Sequence, residues 1–136
     1  MKKIAVTFLA IMAVLFVWSQ STPSLKAAKA RGKKVYDMYC LSCHMEDGKG
    51  VPRLNPPLIK TKYVLGDKQK LVTIILKGSD AGIDLGGQTY KNVMASHDFL
   101  KDQEIADVLT FIRNAFGNKV SIVTVANVKG VRAKVK

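Results

Sequence analysis

Two cysteines and a histidine stand together in the segment YCLSCHMED, where Cys40 and Cys43 are followed directly by His44. These are the only 2 cysteines in a chain of 136 residues. Two thiols and an imidazole at this spacing could form a redox-active dithiol, supply ligands to zinc, or attach a haem covalently. Each kind of site requires a different setting, and the rest of the sequence favours one of them.

A covalent c-type haem is the chemistry that fits this spacing best. In a CxxCH motif the two thiols add to the haem vinyl groups, and the adjacent imidazole is held against the iron from one face. Zinc would require four ligands, so Cys43 and His44 would have to reach one small tetrahedral ion together with Cys40 and His97. A redox dithiol normally lies near a βαβ pattern, whereas this motif closes a predicted helix in a chain with almost no predicted strand. Haem is therefore favoured, and zinc and a dithiol are the alternatives.

A six-coordinate haem iron requires a second ligand on the face opposite His44. Four of the methionines lie too close to the motif or in the apolar N-terminal segment: Met1, Met12, Met38 and Met45. Met94 follows a glycine-rich stretch and precedes the last long predicted helix, so the chain could wrap round the haem and return. Met94 is thus predicted as the distal ligand, and His97 is the competing candidate.

Three amphipathic helices are predicted to position these residues. The first covers SLKAAKARGKKVYDMYC, begins at Ser24 as N-cap, and has an apolar stripe at helical spacing: Leu25, Ala28, Val35, Tyr36 and Tyr39. The second lies in GDKQKLVTIILKG, where Asp67 can cap the start and Gly78 the end. The third lies in KDQEIADVLTFIRNAFG, with Gly117 as its end and an apolar face that recurs at i, i+3, i+4 and i+7: Ile105, Val108, Leu109, Ile112 and Phe116.

Loops are predicted between these helices. Residues 45–60 contain Gly48, Gly50 and three prolines, and residues 79–92 contain three glycines and could include a small hairpin. Residues 120–123 could form a short strand, or a short helix could begin at Thr124.

The N-terminal segment has the layout of a secretory signal peptide. MKK is followed by an apolar run from Ile4 to Trp18 and then by the polar, small-residue segment SQSTPS. We expect residues 1–21 to be the signal, with an uncleaved anchor as the alternative, and the folded domain to span residues 22–136. Residues 119–136 are expected to be a basic tail, and the protein to work in the periplasm or another extracytoplasmic compartment.

The net charge is strongly positive, at +12. Lysines are scattered among Asp, Gly and apolar residues without a long run of like charge, so most of them are expected to form a solvated surface. The excess favours an acidic protein partner or an anionic membrane surface. Nucleic acid is not an expected partner of an exported chain without a recognisable binding motif.

Several segments together resemble a small single-haem cytochrome c: RGKKVYDMYCLSCH, the NPPL loop, and VMASHDFLKDQEIADVLTFIRNAFGN. The resemblance extends from about Ser24 to Asn118. It implies an all-α, cytochrome c-like fold of three main helices around one covalently bound haem c. It also implies Cys40 and Cys43 as attachment points and His44 and Met94 as iron ligands.

The resemblance implies supporting roles for further residues. The Pro56 carbonyl would accept a hydrogen bond from the His44 ring, and Tyr90 would line the haem pocket. Gly32 would mark the crossing of the first and last helices, with Phe111 packed where a side chain would otherwise be.

Two positions depart from the family pattern. The family often has proline directly after the methionine, where this chain has Ala95, so the loop that carries Met94 would be less rigid. The family often caps the last helix with Ser or Thr, where this chain has Lys101, at a cost of about 1 kcal/mol.

The implied function is one-electron transfer rather than catalysis. The alternatives are a haem-bearing subunit of a larger dehydrogenase or reductase, and a haem sensor or enzyme whose distal ligand dissociates. An acidic redox partner is expected to dock over the exposed haem edge near the cysteines, where four basic residues lie close in sequence: Lys33, Lys34, Lys49 and Arg53.

Overall fold

The computed structural model describes residues 24–79 and 82–135. The predicted signal peptide, residues 1–21, lies outside the described part of the chain. Six helices are present in the described ranges: α1 Leu25–Tyr39, α2 Leu41–His44, α3 Lys62–Leu65, α4 Lys68–Lys77, α5 Asp102–Ile112 and α6 Val125–Val135. Two short strands, β1 Ile83–Leu85 and β2 Gln88–Tyr90, pair as an antiparallel hairpin. The all-α class is confirmed, and the hairpin lies in the segment where one was expected.

Helix α1 begins where its cap was predicted. The Ser24 hydroxyl accepts a hydrogen bond from the Ala27 amide at 3.3 Å. Its buried residues are Ala28, Gly32 and Tyr36. The prediction that Leu25 and Tyr39 belong to the buried stripe is wrong, since these side chains are 44% and 38% exposed. The helix packs on α5 around Gly32, and its first turn extends beyond that contact.

Helices α1 and α5 cross at Gly32, as the resemblance implied. A Cβ atom on Gly32 would collide with the backbone carbonyl of Asp107 and lie 2.8 Å from the Cβ atom of Phe111. Beside the crossing, the Arg31 guanidinium donates two hydrogen bonds to the Asp107 carboxylate, at 2.6 and 2.8 Å. The absence of a side chain at residue 32 is therefore what lets the two backbones approach so closely.

Helix α4 has the predicted caps at both ends. The Asp67 carboxylate accepts a hydrogen bond from the Gln69 amide at 2.8 Å, and Gly78, with φ +75°, follows the last residue. Its buried residues are Leu71, Val72, Ile75 and Leu76.

Helix α5 ends earlier than predicted. Its last helical residue is Ile112 rather than a residue next to Gly117. The Asn114 backbone amide donates to the Phe111 carbonyl at 2.9 Å, which tightens the chain into a turn. Phe116 then adopts a left-handed conformation with φ +55°.

The start of α5 lacks a side-chain cap from Lys101, but its first turn is not left without support. The Glu104 carboxylate accepts a hydrogen bond from the Lys101 backbone amide at 2.8 Å, which is one half of a capping box. This contact offsets part of the expected cost of lysine at the cap.

The C-terminal segment forms a helix that belongs to the core. The Thr124 hydroxyl accepts from the Asn127 amide at 3.2 Å, and Val128 and Val131 are buried where α6 packs on α4 and α5. Residues 120–123 form no strand in the described chain. The Val123 amide instead donates to the Thr110 hydroxyl at 3.0 Å. None of the described helices is both long and apolar enough to span a bilayer.

Candidate functional site

A cavity of about 310 Å³ is bounded by the end of α1, by helices α2, α3, α4 and α5, and by the loop before α5. All six predicted site residues line it: Cys40, Cys43, His44, Pro56, Tyr90 and Met94. His97, the competing ligand candidate, lines it as well. Residues separated by more than fifty positions in sequence are thus brought to one apolar space.

His44 is held through one ring nitrogen. Its Nδ1 lies 3.0 Å from the Pro56 carbonyl oxygen. A carbonyl can only accept, so the proton resides on Nδ1 and Nε2 keeps the lone pair that a metal would bind. Burial lowers the pKa of His44, and the hydrogen bond to Pro56 opposes that shift. The imidazole is therefore neutral at physiological pH, which is the form that binds a metal ion.

The two cysteines differ in environment. Cys40 caps the end of α1 and is buried, whereas Cys43 in α2 is exposed, and both are free thiols. Burial raises the pKa of the Cys40 thiol to about 11. A catalytic or redox-active cysteine instead requires a lowered pKa, because the thiolate is the nucleophile. The environment of Cys40 thus disfavours the dithiol alternative.

The zinc alternative has no support among the described residues. Within residues 24–79 and 82–135, no three His, Cys, Asp or Glu side chains are grouped so that they could hold one metal ion.

The loop that carries Met94 is fastened to the C-terminal end of α4. The Met94 amide donates to the Ser79 carbonyl at 3.1 Å, and the Ser79 amide donates to the Met94 carbonyl at 2.9 Å. A Cβ atom on Gly78 would collide with the Met94 carbonyl, so glycine is required there by space as well as by its positive φ.

Two further hydrogen bonds hold the same loop. The Ser96 hydroxyl donates to the Leu76 carbonyl at 2.7 Å, and the His97 amide donates to the Ile75 carbonyl at 2.8 Å. These contacts restrain the backbone on both sides of Ala95. They therefore limit backbone movement at a position where this chain has no proline.

His97 lies at the rim of the cavity. Its Nδ1 is 2.9 Å from the Ala95 carbonyl, and its ring centroid is 6.4 Å from that of Tyr39 and 5.8 Å from that of Phe99. Tyr39 is 38% exposed, so the motif end of α1 reaches the surface beside this group.

Tyr90 closes another side of the cavity. It is the last residue of β2, it is buried, and it lines the cavity together with Leu85 of β1. Helix α3 supplies a wall that the sequence reasoning missed, through the fully buried Val64. The available signal was Thr61, whose hydroxyl accepts from the Val64 amide at 3.2 Å as a helix cap.

The lining suits a large, apolar cofactor that is attached to the protein through reactive groups on its edge. None of the described lining residues is Asp, Glu, Lys or Arg. Two thiols, a neutral imidazole and a thioether also line the space. These groups match the attachment and ligand chemistry of a c-type haem.

Comparisons with known proteins agree with this chemistry. The profile of the cytochrome c family matches residues 29–116, more than half of the chain. Cytochrome c-552 of Thermus thermophilus is 36% identical over 119 residues, which cover 81% of this chain and 80% of the relative. The cytochrome c subunit of alcohol dehydrogenase (quinone) from Gluconobacter oxydans is 37% identical over 91 residues, which cover 64% of this chain and 18% of the relative. The gluconate 2-dehydrogenase cytochrome c subunit of Pantoea cypripedii is 33% identical over 104 residues, which cover 74% of this chain and 24% of the relative.

Proposed function

The chain belongs to the cytochrome c family, and from this premise we propose that it carries single electrons through one covalently attached haem c. The observation that carries the proposal is the set of groups around the cavity. Cys40, Cys43, His44 and Met94 all line one space whose walls hold no charged side chain among the described residues.

Each residue of this set has a separate role in the proposal. Cys40 and Cys43 would hold the haem covalently through thioether links, and His44 and Met94 would bind its iron. The haem, when bound, supplies the iron whose one-electron change is the reaction. A methionine ligand favours the reduced state and raises the reduction potential. With His44 and Met94 both bound to the iron, no site would remain there for a substrate, and the chain would act as a carrier rather than an enzyme.

Pro56 and Tyr90 act on the site indirectly. The 3.0 Å contact of the Pro56 carbonyl with His44 Nδ1 fixes the ring orientation and leaves Nε2 as the ligand atom. Tyr90 excludes water from one side of the cavity, since it is buried at the end of β2.

The ligand assignment is tested by replacing the two candidates separately. Met94→Ala should leave the haem attached, remove the weak sulfur–iron absorption at the red end of the oxidised spectrum, and lower the potential. His97→Ala should change neither property. An unchanged spectrum in Met94→Ala together with an altered one in His97→Ala would show that the iron has two histidine ligands.

We further propose that the protein works outside the cytoplasm, with residues 1–21 as the signal that exports it. Support comes from the sequence of that segment, in which MKK, an apolar run from Ile4 to Trp18 and the polar segment SQSTPS follow one another. N-terminal sequencing of the mature protein from a haem-stained periplasmic or membrane fraction would test this. A mature chain that begins at Met1 would leave the uncleaved anchor as the alternative.

The proposed partner is an acidic redox protein that docks at the rim near Cys43. Two of the four basic residues expected there are already paired within the chain. Lys33 Nζ lies 2.7 Å from the Asp37 carboxylate, and Lys49 Nζ lies 2.9 Å from the Asp47 carboxylate. These pairs reduce the net positive charge that those lysines present.

Of the four basic residues expected near the cysteines, Lys34 and Arg53 are the two that remain available to steer a partner. Both are exposed, and neither forms an ion pair within the described residues. Electron-transfer complexes are small and short-lived, so long-range charge contributes strongly to the association rate. We therefore propose that Lys34 and Arg53 contribute more to docking than Lys33 and Lys49.

Stopped-flow electron transfer to the native partner at several ionic strengths tests this. The double variant Lys34→Glu/Arg53→Glu should slow association by about tenfold at low salt and flatten the salt dependence. Lys129→Glu/Lys134→Glu is the matched control, because it makes the same charge change on α6, which contributes no residue to the cavity wall. Equal effects in both pairs, or a rate independent of salt, would reduce the role of these residues to solubility.

The second candidate is a haem-bearing subunit of a larger dehydrogenase. It is favoured by the identity of 33–37% to the two dehydrogenase subunits described above, although the chain covers a small part of each. A pull-down from periplasmic and membrane fractions separates the two, since a subunit would retain a large partner through gel filtration and a free carrier would elute alone.

A further inference from the structure

Helix α6 lies beyond the segment that matches the cytochrome c family, which ends at residue 116. Its Arg132 makes three hydrogen bonds to the segment that leads from the Met94 loop into α5. Nε donates to Asp102 Oδ1 at 2.7 Å, one terminal nitrogen donates to the Asp98 carbonyl at 2.8 Å, and the other donates to the Leu100 carbonyl at 2.7 Å.

These hydrogen bonds add to those that already hold the loop that carries Met94. Its first part is already bound to the C-terminal end of α4, through the backbone of Met94 and the side chain of Ser96. Arg132 binds its last part, residues 98–102. The chain is thus held by the C-terminal end of α4 at Met94 and at residues 96–97, and by α6 at residues 98–102.

The physical setting makes this contact stronger than an ordinary surface ion pair. The side chains of Arg132 and Asp102 are only 24% and 23% exposed, so the surrounding water screens their attraction incompletely. A planar guanidinium can reach three acceptors in fixed directions, whereas an ammonium group cannot reproduce that fork.

The helix that presents Arg132 is itself rigidly placed. Val128 and Val131 are buried in the core against α4 and α5, within one turn of Arg132. The guanidinium therefore extends from a packed element rather than from a free tail.

We propose that Arg132 is a positioning residue for Met94, so that α6 controls how often the distal methionine leaves the iron. This rests on the proposed role of Met94 as the distal ligand. Loss of the Arg132 contacts frees residues 98–102, raises the population of an open loop, and makes the iron accessible to added ligands in proportion to that population.

Imidazole titration of the oxidised haem protein measures this opening. Arg132→Met should lower the half-saturating imidazole concentration by about tenfold and weaken the sulfur–iron absorption, because the open form binds imidazole without displacing a held methionine. The half-saturating imidazole concentration of Arg132→Lys should lie between those of the parent and of Arg132→Met. Lysine keeps the attraction to Asp102 but cannot donate to all three acceptors.

Arg31→Met is the matched control. It removes another ion pair to an aspartate of α5, the Arg31–Asp107 pair at 2.6 Å, which lies at the crossing with α1 and not on the Met94 loop. It should lower the melting temperature without changing imidazole affinity. If Arg132→Met melts lower than the parent but binds imidazole with parental affinity, Arg132 has a purely structural role and the proposal is wrong.

Amide hydrogen exchange gives a second readout that does not depend on the iron ligand. In Arg132→Met or Arg132→Lys, the His97 and Leu100 amides, which donate to the Ile75 and His97 carbonyls, should exchange faster than in the parent. Should Arg132→Met fail to fold, Arg132→Lys decides by the same two measurements, and parental values in both would overturn the proposal. Failure of the Met94 assignment is recognised separately, by an unchanged spectrum in Met94→Ala.

Discussion

Replacement of Gly32 by alanine adds one methyl group at the closest approach of α1 and α5. That methyl would collide with the Asp107 carbonyl and lie 2.8 Å from the Phe111 Cβ atom. Alanine is better than glycine in a helix interior by about 1 kcal/mol, which favours the variant. Overpacking costs on the order of 1 to 3 kcal/mol, and the upper value applies because a backbone carbonyl cannot rotate away.

The net loss of unfolding free energy is therefore about 2 kcal/mol for Gly32→Ala, from a cost of about 3 and a gain of about 1. Gly32→Val should lose more than Gly32→Ala, since the valine side chain has two more methyl groups than alanine and gains less helix propensity. For a domain of this size, about 4 °C of melting temperature corresponds to 1 kcal/mol, so Gly32→Ala should melt about 8 °C below the parent.

Thermal unfolding of the haem-loaded proteins, followed by far-ultraviolet circular dichroism, gives the comparison. Gly130→Ala is the matched control, because Gly130 also lies in a helix and nothing lies within 4 Å of the added methyl. The control should melt higher by about 4 °C, from the propensity gain alone. A Gly32→Ala or Gly32→Val protein that melts at or above the parent would show that the helices do not meet there.

Three further changes have distinct expected results. The double variant Cys40→Ser/Cys43→Ser should carry no haem after denaturing electrophoresis and haem staining, whereas each single variant should keep one covalent link. Asn118→Ala should lower the unfolding free energy by about 3 kcal/mol in guanidinium titration. The buried Asn118 side chain accepts a hydrogen bond from the Lys60 backbone amide at 2.8 Å and donates to the Leu58 and Ile112 carbonyls. Val128→Ala should lower the unfolding free energy by about 2 kcal/mol, since Val128 is 0% exposed; an unchanged midpoint would mean that α6 is a loose tail.

The helix starts could be predicted because their causes are local. Ser24 and Asp67 accept hydrogen bonds from amides two or three residues further on, so a short segment contains both partners. Gly78 ends α4 for an equally local reason, its positive φ. Lys33 and Asp37 stand at i,i+4 spacing on one helix, and their ion pair could have been predicted in the same way.

Features that depend on distant segments were harder to predict. Leu25 has the right spacing for the buried stripe, but its exposure depends on where α5 crosses α1. The end of α5 depends on turn hydrogen bonds after Ile112 rather than on the glycine that follows. Helix α6 carries a weakly amphipathic pattern, and its burial depends on the apolar surface that α4 and α5 leave beside it.

In the candidate site, too, local features could be predicted from sequence and contacts between distant segments could not. The residue types of the CxxCH motif and the position of Met94 between a loop and a helix follow from sequence alone. The hydrogen bonds that hold the Met94 loop could not be predicted in this way. They join residues 75–79 to residues 94–97, and Arg132 to residues 98–102. Such contacts exist only once the helices have packed.

We propose that His44 and Met94 would both bind the iron of one haem, so that the chain passes electrons and does not bind substrates at the iron. The absorption spectrum of the reduced protein, taken with and without carbon monoxide, tests this most directly. We predict a single c-type haem whose reduced spectrum does not change when carbon monoxide is added. A shifted spectrum in the presence of carbon monoxide would show an open or readily opened iron site, and would favour a sensor or an enzyme over an electron carrier.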